Sequence, residues 1–155
     1  MKWYWIIFAV LIGLGIAAQT IGIVEFEASL PLETWLVMGL VSLSGGWMAF
    51  DGGRALIDGD YVTPSGGEMA GQLGPWSSLI KAVGIAPRST LMKSIFPIYG
   101  LIYLGLALAL GLGSPWAWPP LLVVAILGLW YVPFGTFLSI LVIVLLMLPA
   151  LRPAL

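Results

Sequence analysis

The feature that most constrains this chain is the length of its uninterrupted apolar runs. No charged side chain falls between Trp3 and Val24. As helix at 1.5 Å per residue this run is about 33 Å long, close to the hydrocarbon thickness of a bilayer. Further runs occupy about 34–50, 94–112 and 119–148. With 61% hydrophobic and 8% charged residues over 155 positions and a mean hydropathy of +1.08, a soluble globular domain is excluded by composition. The expected fold is an all-α integral membrane protein. It is a four-transmembrane-helix bundle, a single membrane domain over 1–155, with a cytoplasmic loop at 51–93 that contains a short interfacial helix.

The run at 3–24 competes with a secretory signal peptide, since Lys2 supplies a basic start and Ala17-Ala18 a small-residue site. Its apolar continuation through Ile21, Ile23 and Val24, and the opening Trp3-Tyr4-Trp5 cluster, favour a span anchored at an interface. Pro31 and Glu33 suit the start of the second helix, and Ser89 is placed to cap the helix leading into the third. The last run is about 45 Å long as helix, too long for one upright crossing and too short for two. It reads as one tilted helix kinked near Pro133, the alternative being a half-membrane hairpin. On this count Lys2, Arg54, Lys81, Arg88, Lys93 and Arg152 all fall on one side, and Glu25, Glu27 and Glu33 on the other. The positive-inside rule then puts both termini in the cytoplasm of a cell whose inner (plasma) membrane holds the chain.

Cysteine and histidine are absent, which removes disulfides, thiolate nucleophiles, Cys or His zinc sites and His-dependent triads. No charged residue lies inside the four apolar cores, which argues against a coupled transporter or proton relay. A formal net charge of −1 suggests no nucleic-acid partner. Gln19, Thr20, Ser42, Ser44, Thr136 and Ser139 read as hydrogen-bonding glue between helices. Small residues recur at four-residue spacing as Ala9, Gly13 and Ala17, as Gly105 and Ala109, and as Gly135 and Ser139. Such faces let helix backbones approach closely, either within the bundle or against another membrane subunit. Ser44-Gly45-Gly46 is compatible with a bend or a tight crossing.

The 51–93 segment is where function is to be sought. Asp51, Arg54, Asp58, Asp60 and Tyr61 form a candidate interaction or ion site, since carboxylates suit hard cations. No metal or cofactor is assigned to it, because the spacing is not that of an EF-hand. If the second helix continues past Phe50, Asp51 and Asp58 face one way about 10 Å apart, too far to share one ion unless Asp60 folds back. Trp76, Leu79, Ile80 and Val83 fall at i, i+3, i+4 and i+7, one apolar face of a short interfacial helix.

Asp51-Gly52 with Arg54-Ala55 loosely resembles the opening of CDP-alcohol phosphotransferase motifs. The family's upstream Asp, its Ala-before-Arg order and its two closing Asp residues are missing. Gly-Asp-Tyr-x-Thr-Pro at 59–64, Leu-Gly-Pro-Trp at 73–76 and Pro-Phe-Gly-Thr at 133–136, followed by an aliphatic run and Pro149, resemble small multi-pass bacterial inner-membrane proteins of uncharacterised function. That resemblance implies a bacterial membrane protein and carries no activity. The expected function is a non-enzymatic accessory or scaffold subunit whose partners are the lipid bilayer and other membrane subunits or itself. The alternative is a small metal-dependent membrane enzyme acting on a phosphate-containing lipid or nucleotide-linked substrate.

Overall fold

The computed structural model describes residues 30–151. All regular structure among them is helical: α1 (Leu32–Asp58), α2 (Trp76–Ala82), α3 (Thr90–Gly111), α4 (Trp118–Leu127) and α5 (Phe134–Leu146). Turns of 3-10 helix at Pro115–Ala117 and Gly128–Trp130 flank α4. The run at 3–24, with Ala9, Gly13, Ala17, Gln19 and Thr20, lies outside the described residues, as does Arg152. Among the described residues only α3 is both long and apolar enough to cross a membrane; 115–130 and α5 are shorter apolar helices. The four expected spans are thus carried by length and composition at one helix, within an all-helical fold.

α1 starts behind Pro31 with Glu33 in its first turn, and ends at Gly59, whose φ of 92° is a left-handed conformation that glycine adopts without a Cβ clash. It therefore runs well past Phe50, with Asp51 inside it. α3 starts at the expected cap, where the Ser89 hydroxyl accepts the Met92 N–H at 3.3 Å. α1 and α3 pack antiparallel, because Val37 and Val41 share a cluster with Tyr103 and Ala107, while Met48 and Ala55 share another with Met92 and Phe96. Glycine permits the crossing. A Cβ on Gly100 would strike the Gly45 carbonyl oxygen and lie 2.6 Å from the Ala49 nitrogen, and one on Gly52 would strike Phe96 and Pro97. The tight crossing expected at Ser44-Gly45-Gly46 is made by Gly45 alone; a Cβ on Gly46 would meet nothing within 4 Å.

The stretch 119–148 is not one kinked helix but two helices folded back on each other. The Trp118 indole N–H, at the start of α4, donates to the Leu146 carbonyl at the end of α5, at 2.9 Å. The break has a local cause. Pro133 brings no N–H to the helical ladder and its ring excludes the carbonyl four residues back. That carbonyl, of Leu129, accepts the Thr136 hydroxyl instead at 2.7 Å. The Tyr99 hydroxyl, on α3, donates to the Val124 carbonyl at 2.6 Å and ties the hairpin to the α1–α3 pair.

These contacts give the bundle two ends. At the far end Val37, Tyr103, Leu121, Val142 and Leu146 form one core, against which Leu151 also packs. At the other, polar end, the hairpin turn meets the 59–89 segment through Trp130 and Tyr131. Residue 151 and the 59–89 segment therefore lie at opposite ends, which removes the single-span basis on which the C-terminus was expected beside the basic loop.

Candidate functional site at the polar end

The chain leaving α1 folds back over the bundle because it carries one aromatic residue that the core can take. Tyr61 is buried, with its ring centroid 5.0 Å from that of Phe96 and 5.4 Å from that of Trp76. Phe96 is the hub, lying 5.0 Å from Trp76 and 5.5 Å from both Trp130 and Tyr131. Tilted and edge-on aromatic pairs of this kind each add about 0.5–1.5 kcal/mol beyond their buried area. α2 is drawn in by the same cluster, which divides its expected apolar face. Trp76 is buried and Ile80 packs beside it, while Leu79 and Val83 are exposed.

Charged groups pin the segment from outside. Arg54 donates to the Asp60 carbonyl at 2.9 Å, and its Nε lies 3.4 Å from the Asp58 carboxylate. Arg88 donates to both Asp60 carboxylate oxygens, at 2.9 and 3.1 Å, and to the Gly71 carbonyl at 2.8 Å. The Lys93 ammonium donates to the Gly59 carbonyl. Burial raises the Asp60 carboxyl, but the Arg88 hydrogen bonds, the Tyr61 N–H and the charges of Arg88 and Lys93 outweigh it and hold the pKa below the ordinary carboxylate value.

Asp51 differs from the other two carboxylates. It is 4% exposed, and its Oδ1 accepts the Val62 N–H at 2.6 Å. Burial is the largest influence and pushes its pKa up to about 6, against the opposing effects of the Val62 N–H and the Arg54 charge. The Tyr61 phenol is also raised, first by burial and then by Asp51 and Asp60. A crevice of about 140 Å³ lies between Trp47, Asp51, Tyr61, Trp76 and Tyr131. The Trp47 indole N–H donates to the Tyr131 hydroxyl at 3.0 Å at its edge. Beyond Trp47 a lateral groove of about 570 Å³ runs along α1 past Gly46, Leu43 and Phe50.

Of the predicted site, Asp51 and Tyr61 meet in the crevice, and Arg54, Asp58 and Asp60 form the pinning network outside it. The three carboxylates do not converge: among the described residues no three acidic side chains group closely enough to hold a metal ion. The small-residue faces also separate. A Cβ on Gly135 would press on the Tyr131 ring and one on Gly128 would meet the Ser139 hydroxyl, so Gly135 and Ser139 are both used inside the hairpin. Gly105 is exposed and a Cβ there would meet nothing within 4 Å. Trp47, Arg88, Lys93 and Tyr131 were not among the candidates. Arg88 and Lys93 had a signal, as basic residues in a segment whose acids needed partners; Trp47 and Tyr131 had none, being apolar in apolar runs.

No family model matches the chain, and no curated protein or solved structure matches it.

Proposed function

We propose that the protein is a non-enzymatic, multi-pass subunit of a bacterial inner-membrane complex, with the 51–93 segment at the cytoplasmic face, and that it docks on other membrane helices through α3. The observation that carries this reading is the outward face of α3 at Gly105. This glycine sits open among exposed Leu101, Ile102 and Leu108, a shallow apolar saddle that lets a second helix backbone approach closely. Apolar exposure on the other helices supports lipid contact. Leu36 and Leu43 on α1, Val123 and Ile126 on α4, and Phe137, Ile140 and Val144 on α5 all face outward, and an apolar surface this extensive is unsuited to water.

In this reading α4 and α5 enter from the far face, turn near the cytoplasmic interface under Tyr61 and Trp76, and return. Residue 151 then lies on the side opposite Arg54, Lys81, Arg88 and Lys93, whose shared end satisfies the positive-inside rule.

Gentle detergent extraction followed by mass measurement tests the docking. The native chain is expected in a species larger than its 16.6 kDa monomer, Gly105→Ala to behave like it, and Gly105→Leu to release the monomer. A strictly monomeric native chain, or a complex indifferent to Gly105→Leu, contradicts the proposal.

A further inference from the structure

The crevice and the lateral groove are adjoining parts of a hollow, with Trp47, Tyr131 and Phe134 lining both. Its two halves differ in chemistry. The groove is walled by Leu43, Phe50 and Phe134 over the bare backbone of Gly46, and opens sideways from the bundle. The crevice ends on Asp51 and Tyr61. We propose that this hollow binds one amphiphile, a membrane lipid with a primary ammonium head in the crevice and an alkyl chain along the groove.

The polar atoms argue for the head. Asp51 uses Oδ1 for the Val62 N–H, and Oδ2 accepts no hydrogen bond from the protein. Arg54, the nearest cation along α1, is spent on Asp58 and the Asp60 carbonyl. The Tyr61 hydroxyl has no partner but is sealed from the crevice, so Asp51 supplies the acceptor there. A carboxylate oxygen of Asp51 left without a protein donor at the crevice calls for a cationic group that also donates hydrogen bonds. An anionic head would be repelled by Asp51, and a quaternary ammonium would bring charge but no N–H. Trp47, Trp76 and Tyr131 line the same space, and aromatic rings attract a cation.

The tail follows from the groove. It is apolar and continuous with the outward face of α1, so a chain seated there reaches the bilayer without crossing a polar surface. This inference rests on the membrane setting proposed above and is independent of the α3 docking face.

The test uses the full-length chain in nanodiscs with equal parts of dioleoyl phosphatidylethanolamine, phosphatidylcholine and phosphatidylglycerol, and counts lipids retained on release into a native mass spectrometer. Phosphatidylethanolamine is expected to be retained about tenfold over the other two, a difference in free energy of about 1.4 kcal/mol. Asp51→Asn should bring that ratio close to one, and the amine competition below, run on the native chain, keeps the test decisive if the Asn variant does not fold. Gly46→Leu, at a position where a Cβ meets nothing within 4 Å and which lines the groove, should reduce retention of all three lipids. Dodecylamine should compete with the lipid, and ethanolamine, which has no tail, should not. Equal retention of the three lipids, selectivity unchanged in Asp51→Asn, or binding of dodecylamine without phosphatidylethanolamine overturns the proposal. The last of these would assign the hollow to a free alkylamine. Loss of the larger species in the docking test with lipid selectivity intact would sink the α3 reading alone.

Discussion

Gly100 and Gly105 stand five residues apart on α3, and the same substitution at the two is expected to act in opposite directions. A methyl group at Gly100 would strike the Gly45 carbonyl oxygen and would sit 2.6 Å from the Ala49 nitrogen and 3.0 Å from its Cβ. Two of these three obstacles are backbone atoms of α1, which no rotamer change can move, so relief requires the helices to separate. Overpacking of this kind costs about 1–3 kcal/mol, and the backbone contacts put Gly100→Ala near the upper end. The gain in helix propensity, about 1 kcal/mol for Gly to Ala, offsets part of it and leaves a net loss of about 1–2 kcal/mol. At Gly105 nothing opposes the methyl group, so only the propensity gain of about 1 kcal/mol remains. Equilibrium unfolding by SDS in mixed micelles, followed by circular dichroism, measures both variants against the native chain. If Gly100→Ala is as stable as Gly105→Ala, the α1–α3 crossing does not lie at Gly45 and Gly100.

Three further outcomes follow from single contacts. Thr136→Val should lose about 1 kcal/mol, because the Leu129 carbonyl freed by Pro133 loses its donor, and Thr136→Ser should recover it; thermal unfolding of the three chains compares them. Asp51 binds its proton more tightly folded than unfolded, since its pKa is raised from 3.8 to about 6. The native state therefore holds more protons between those values, and stability should fall as pH rises from about 4 to about 6 and level off above. A shift of this size corresponds to about 3 kcal/mol, and in Asp51→Asn that slope should disappear from a pH series of melting curves. Arg88→Ala should speed proteolysis of the 59–75 segment with little change in global stability, because the Arg88–Asp60 pair is half-exposed and screened by solvent.

Much of the fold was legible because it depends on local signals. The Ser89 cap, the continuation of the second helix beyond Phe50 and the weakness of the backbone at Pro133 were all readable from residue types within a turn of the event. The fate of 119–148 was not, because a kink and a reversal share the same proline. The choice between them rests on distant partners, the Leu146 carbonyl for Trp118 and the Val124 carbonyl for Tyr99. The candidate site shows the same division. Arg54 and Asp58 pair at helical spacing and could be read from it. The separation of Asp51 from Asp60 depends on Tyr61 being drawn under Trp76, which places one carboxylate inside the aromatic cluster and leaves the other with Arg88. Spacing put Leu79 and Val83 on one face with Trp76 and Ile80, and what divides that face is the claim of Phe96 on Trp76.

The proposed orientation puts the 51–93 segment and residue 151 on opposite sides of a membrane. The chain has no cysteine, so single substitutions at Gly66, Ser114 and Ala150 report separately to a membrane-impermeant maleimide applied to intact cells with permeabilised outer membranes. The cysteines at 114 and 150 are expected to label from outside and the one at 66 only after the inner membrane is lysed. Labelling of 66 in intact cells, or protection of 150 together with 66, would contradict the account, the second result restoring a single crossing over 119–148.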